Sequence, residues 1–267
     1  MKVSECREII FGNSCRIVVG GGDLAGNEGL EIALQEFKRL EEKFCCFQPG
    51  SIISSINQCA GTGAYTPLDP EAQSLFQYID VLWRESNHLF DPTTRLLQNC
   101  YGEDGEPMAS VSQLKDMTRL VGWQKLEIDQ RGAHLSDKGM LIDLNSCVRP
   151  YAIDSVHKRL ARHGVEHALI EMDHDITTLG RQPDGSNWLV GIRHPAGSRT
   201  AISRIKLNQK GYALRGDFER RVTVAGEYFG RALSPIDGQP IPGLLGVAVV
   251  AENCLTACSA ATIARLK

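Results

Sequence analysis

The 267-residue chain reads as an α+β protein, with mixed or antiparallel sheets and flanking helices, organised as one domain over residues 1–267. Three observations predict this class. Apolar residues recur at helical steps of three and four in the first half. Strand-like runs dominate beyond residue 124. The two kinds of segment do not alternate strictly, as a parallel βαβ fold requires. A composition of 42% hydrophobic and 23% charged residues supplies enough apolar surface for a substantial core.

The elements follow in order. Residues 28–47 form an amphipathic helix, because Leu30, Leu34, Phe37, Leu40 and Phe44 fall on one face. Asp69 and Pro70 supply a cap and a first-turn proline for a second helix to about Asn87, with Leu75, Ile79, Leu82 and Trp83 as its apolar stripe. A third helix covers about 111–121 and stops near Gly122. Residues 124–129, then AHL and MLIDL around Gly132 and Gly139, read as strands. A helix over 150–163 starts at Pro150 and stops at Gly164. ALIEM, NWLVGI, ISRIKL, RVTVAG and LLGVAVVA are strand candidates, and 254–266 is helical in composition. Residues 98–110 and 181–187, rich in Gly, Asp and Pro, read as loops.

Composition excludes several function classes. A net charge of −3 and a pI near 6.2 argue against nucleic acid or an anionic membrane surface as partner. No stretch approaches the ~20 apolar residues of a membrane helix. The segment MKVSECREIIFGNSC lacks an apolar core of signal-peptide length, so a cytoplasmic protein is expected. Nine cysteines at irregular spacing, with no C-x-x-C pair, read as reduced thiols rather than a disulfide framework or a structural zinc site.

Several segments carry more than fold information. FQPGSIISSIN (47–57), HLFDPTT (88–94), LVGW (120–123), LIDLNSCVRPYAIDSV (141–156), LRGDFERR (214–221), SPIDGQP (234–240) and CLTACSAATIA (254–264) fall in an order and spacing that resembles the ApbE family from about Phe11 to Ile263. Members of that family are Mg-dependent FAD:protein FMN transferases. The resemblance implies a T-fold-like architecture with FAD in a cleft between two lobes.

It also implies where the chemistry should sit, and there the chain departs. Phe47 stands where the family has a tyrosine. The family's lysine becomes Arg149, either a cation facing the nucleotide or a surface arginine ahead of a proline. Its Gly-Gly-Asp turn becomes Asp173, His174 and Asp175, so side chains replace two close-approach glycines. His174 is either a base near neutral pH or a solvated turn residue. The family's Ser-Gly-Asp becomes Arg215, Gly216 and Asp217. Its histidine, the candidate proton acceptor, becomes Arg231, which does not give up its proton, and Ser234 takes the place of the carboxylate three residues later. The metal-binding set, by resemblance, is a backbone carbonyl at Val148, an aspartate at the position of Cys258 and a threonine at Thr262. A thiol is a poor ligand for a hard cation.

The retained candidates are therefore His174 and Arg231 for catalysis, and Phe47, Arg149, Asp175, Arg215, Asp217, Arg231, Ser234 and Thr262 for the cofactor. Metal binding at Val148, Cys258 and Thr262 is not expected. Three readings stand at this stage. One is a flavin-nucleotide or anion-binding protein whose arginines replace Mg²⁺ and whose transferase chemistry is lost. Another is an active transferase placing FMN on a Thr or Ser hydroxyl of a partner protein. The last is a scaffold whose arginines pair with Asp173, Asp175 and Asp217 and fill the cleft.

Overall fold

The structure, a computed structural model, describes residues 3–20, 26–102, 106–194, 201–216, 221–224, 227–230, 232–242 and 244–267, the strands within 221–230 by backbone alone. The chain forms two compact units, Met1–Glu42 with Asn145–Arg215 and Gly246–Ala261, and Lys43–Leu144 with Gly216–Leu245 and Thr262–Lys267.

The first unit is built on a six-stranded sheet ordered β1 (Val3–Ile10), β2 (Asn13–Gly20), β5 (His167–Met172), β6 (Asp175–Leu179), β9 (Gly211–Gly216) and β12 (Gly246–Ala251). The pairings from β1 through β9 are antiparallel. The first two strands precede every helix, which corrects the expected order of helices first. Their hairpin turns at Phe11 and Gly12, both at positive φ, so a two-residue turn brings Ile10 opposite Asn13. The FG pair is a weaker turn signal than Asn-Gly, and this hairpin escaped the periodicity reading. Strands β6 and β9 were likewise not anticipated; DITTL and GYALRG are short and buried, with little alternation.

Helix α5 (Asn145–Arg162), most of α1 (Gly26–Phe44) and the part of α6 (Cys254–Leu266) up to Ala261 complete this unit's elements, together with the hairpin of β7 (Trp188–Arg193) and β8 (Ala201–Leu207). Glu36 on α1 is buried and accepts from Arg39, from Ser155 at 2.6 Å and from Arg159 at 2.6 Å, so one carboxylate fastens α1 to α5. Asp154 on α5 accepts the N–H groups of Cys254 and Leu255 at 2.9 and 2.8 Å, serving two of the donors that the start of α6 leaves open. Asn253 serves a third, that of Thr256. Gly211 permits the close approach beside this cap: a Cβ there would lie 2.1 Å from the Asn253 carbonyl carbon.

Helix α5 begins at Asn145, five residues before the expected start, and Pro150 lies inside it. A proline at this depth cannot donate to the Ser146 carbonyl one turn back. That carbonyl accepts instead from the Cys258 thiol at 3.4 Å, and Arg149 Nε donates to the Asn145 carbonyl at 3.2 Å.

The second unit holds α2 (Ile52–Gln58), α3 (Pro70–Glu85), a 3₁₀ segment Pro92–Cys100, α4 (Val111–Thr118), and the hairpins β3 (Leu126–Asp129) with β4 (Gly132–Leu135) and β10 (Arg221–Val224) with β11 (Glu227–Gly230). The expected cap holds: the Asp69 carboxylate accepts from Ala72 N–H at 2.8 Å, with Pro70 in the first turn. MLIDL is not a strand. Its backbone is satisfied otherwise, since the Asn57 amide both donates to and accepts from Ile142, and Asp143 N–H reaches Pro92 O at 3.0 Å. An asparagine side chain has taken the place of a neighbouring strand. The expected loop at 98–110 begins late, because residues up to Cys100 belong to the 3₁₀ segment.

Two recognised motifs meet in this unit. Asp91 accepts from Thr93 N–H and, through its other oxygen, from Trp123 N–H at 2.8 Å, while the Thr93 hydroxyl accepts from Gly122 N–H at 2.7 Å. FDPTT and LVGW are thus two halves of one buried joint. Trp123 then packs on Phe76 of α3, ring centroids 5.9 Å apart. No helix among the described residues is long and apolar enough to cross a membrane.

Candidate functional site

The first unit gathers most of the expected site residues. Strands β5 and β6 are joined by a two-residue turn, Asp173 and His174, with Met172 paired to Asp175. Asp173 takes positive φ, the conformation the family's glycine would adopt at no cost. Asp175 lies opposite Ala213, and strand periodicity puts Ala213 and Arg215 on one face of β9. Ala213 packs against Ala257, Cys258 and Ala261 of α6, so this face looks at the helix carrying Cys258.

There Arg215 forms a bidentate pair with Asp175, Nη1 to Oδ1 at 2.7 Å and Nη2 to Oδ2 at 2.8 Å, and Nη2 also donates to Cys258 Sγ. Asp175 is 2% exposed and Cys258 is buried with it. Burial opposes a charge on Arg215, but the field and hydrogen bonds of Asp175 outweigh it, and the guanidinium pKa is raised above its ordinary value. Burial pushes the Cys258 thiol up to about 11, with Arg215 only partly countering. Cys147 and Cys254 are raised too, again mainly by burial. The thiol is neutral near pH 7, as its double role requires: it donates to Ser146 O and accepts from Arg215.

Arg149, at the exposed side of the first turns of α5, meets Asp173 at 3.2 Å. Both arginines described at expected positions are therefore paired with aspartates expected beside them. Val148 is fully buried on α5. His174 lies at the hairpin turn, its carbonyl accepting from Leu214 N–H at 3.1 Å. Pro150, expected at a helix start, lies inside α5 instead and leaves the Ser146 carbonyl open for Cys258.

Three expected residues fall in the second unit. Phe47 is two-thirds exposed, with the Arg95 guanidinium 5.5 Å from its ring centroid; Arg95 in turn faces Asp143 at 3.6 Å. Ser234 is absorbed in a turn, its N–H on Gln239 O at 2.7 Å and its hydroxyl accepting from Ile236. Thr262 is half-buried on α6, one turn beyond Cys258. Arg231 and Asp217 lie outside the described residues.

A model of the ApbE family matches residues 11–266. The chain belongs to the ApbE family. The FAD:protein FMN transferase of Haemophilus influenzae is 25% identical over 233 residues, 82% of this chain and 67% of that protein. The apo flavinyl transferase ApbE of Pseudomonas stutzeri superposes with a TM-score of 0.83 at 26% identity, covering 98% of this chain and 84% of that one. The ApbE protein of Thermotoga maritima superposes with a TM-score of 0.85 at 24% identity, covering 98% and 86%, and shares the fold. The α+β class with antiparallel sheets and helices is thus that of ApbE structures.

The Mg²⁺ that this family implies does not fit the donors present. Position 258 offers a neutral thiol in place of a carboxylate, and a guanidinium cation already takes both Asp175 oxygens. Among the described residues no three His, Cys, Asp or Glu side chains are grouped to hold a metal.

Proposed function

We propose that this ApbE-family chain binds a flavin nucleotide and has lost Mg-dependent FMN transfer. The observation that supports this is the Arg215–Asp175–Cys258 cluster, in which a guanidinium takes both Asp175 oxygens and a thiol stands where the family's metal carboxylate is expected. Phosphoanhydride cleavage needs charge neutralised on the phosphates and a hydroxyl activated by a base. Arginine at 231 cannot act as that base. The whole span 1–267 serves as one functional domain in this reading.

The test is an FAD titration followed by flavin fluorescence, with and without Mg²⁺, paired with mass spectrometry of a Thr-containing acceptor protein. Saturable binding indifferent to Mg²⁺, with no phosphoester-linked FMN on the acceptor, is expected. Mg-dependent binding with a covalent FMN adduct overturns the reading and makes the chain an active transferase. The pairing of Arg149 with Asp173 and of Arg215 with Asp175 favours one second reading, a scaffold whose cations are spent internally. Absence of FAD binding under both conditions selects it.

A further inference from the structure

We propose that Arg215 is a tethered replacement for a divalent cation, and that residues 215 and 258 form a matched pair: guanidinium with thiol here, in place of ion with carboxylate. This deepens the reading above and rests on it for the place of Cys258 in the family pattern. The geometry comes first. Both Asp175 oxygens are held by Arg215, and the same guanidinium touches the sulfur at position 258. The sulfur in turn reaches the Ser146 carbonyl. A dication drawn to residue 258 would compete with the guanidinium that already lies against it and against both Asp175 oxygens.

Charge balance gives the second argument. With Asp175 beside it, a carboxylate at 258 would balance a dication, and one guanidinium beside Asp175 and an un-ionised thiol is likewise neutral overall. Either arrangement is consistent in a buried place, and the mixtures are not. A carboxylate at 258 beside Arg215 leaves excess negative charge; a dication beside Arg215 leaves excess positive charge. The third argument is chemical. A neutral thiol can accept from a guanidinium and donate to a carbonyl at once, which a carboxylate cannot do. Cys258 thus fits Arg215 for the same reason that it fails a hard cation.

The experiment uses Mn²⁺ as probe, read by loss of its free EPR signal, with no flavin present, so that its outcome is independent of FAD binding. The wild-type chain is expected to leave the signal proportional to added Mn²⁺. The double variant Arg215→Ser with Cys258→Asp is expected to take up one Mn²⁺ per chain, competed by Mg²⁺, with an EDTA-reversible gain in Tm of about 2–4 °C. Uptake of one Mn²⁺ by the wild type, abolished by Asp175→Asn, overturns the proposal; so does a folded double variant that takes up none. Cys258→Asp alone keeps Arg215 and guards against a misfolded double variant. No uptake is expected from it, and stoichiometric uptake while Arg215 remains overturns the proposal.

Discussion

The Cys258 thiol donates to the Ser146 carbonyl at 3.4 Å, a group that Pro150 deprives of its helical donor. A proline inside a helix costs about 3 kcal/mol when its carbonyl one turn back is left unserved. The thiol offsets part of that cost from another helix. Cys258→Ala is expected to lower stability by about 1 kcal/mol in urea denaturation. In the Pro150→Ala background the residue-150 N–H takes over, and the cost of Cys258→Ala shrinks. Strictly additive costs in this double-mutant cycle would show that the thiol does not serve the carbonyl.

Arg215 and Asp175 form the next test. Removing either leaves a buried charge without its partner, at a cost on the order of 3 kcal/mol. Arg215→Ala and Asp175→Ala are each expected to lower the denaturation midpoint strongly, and the double variant to cost far less than the two together. If Arg215→Ala leaves stability intact while abolishing FAD binding, the guanidinium faces ligand instead, and the internal pair is not its main role.

Glu36 should govern much of the acid limb of the stability curve. Burial works to raise its pKa, but hydrogen bonds from Arg39, Ser155 and Arg159 prevail and hold it down to about 2. A carboxyl whose folded pKa lies below its unfolded value contributes stability above the unfolded value, near 4.5, and loses it as pH falls toward 2. Glu36→Gln is therefore expected to cost on the order of 2–3 kcal/mol at pH 7 and almost nothing at pH 2. Urea midpoints taken across this range check it; parallel curves for the two proteins would refute the assignment.

The joint of Asp91 with Trp123 predicts a local spectroscopic change. Asp91→Ala strips acceptors from the Thr93 and Trp123 N–H groups in a buried setting, at roughly 2–4 kcal/mol. Trp123 is 4% exposed and packs at a tilt against Phe76, so its emission should shift to the red and near-UV dichroism should weaken. An unchanged tryptophan spectrum with full stability would deny the joint its role.

What the sequence disclosed and what it hid have physical reasons. Asp69 with Pro70 was readable as a helix start because the cap acts locally, within three residues. Pro150 misled by the same logic, because the group that rescues its interior position lies more than a hundred residues away in sequence. MLIDL has a strand's composition, but the partner of its backbone is one asparagine side chain, which no periodicity announces. Strands β6 and β9, buried with little alternation, offered no period-2 pattern to read. At the candidate site, the departures at 149, 173, 215 and 258 could be named from residue types alone. That Arg215 chooses Asp175, and Arg149 chooses Asp173, follows from strand register and turn geometry. Ser234 shows the limit of motif position: its groups are engaged in their own turn.

The bond between Asp175 and Arg215 has a bearing on descent. Either partner lost alone exposes the chain to a penalty that is a large share of the ~5–15 kcal/mol separating folded from unfolded states. A lineage holding this pair cannot lose either member by a single step without crossing a poorly folded intermediate. The pair acts as a latch on evolutionary history: relatives with arginine at 215 should keep aspartate at 175.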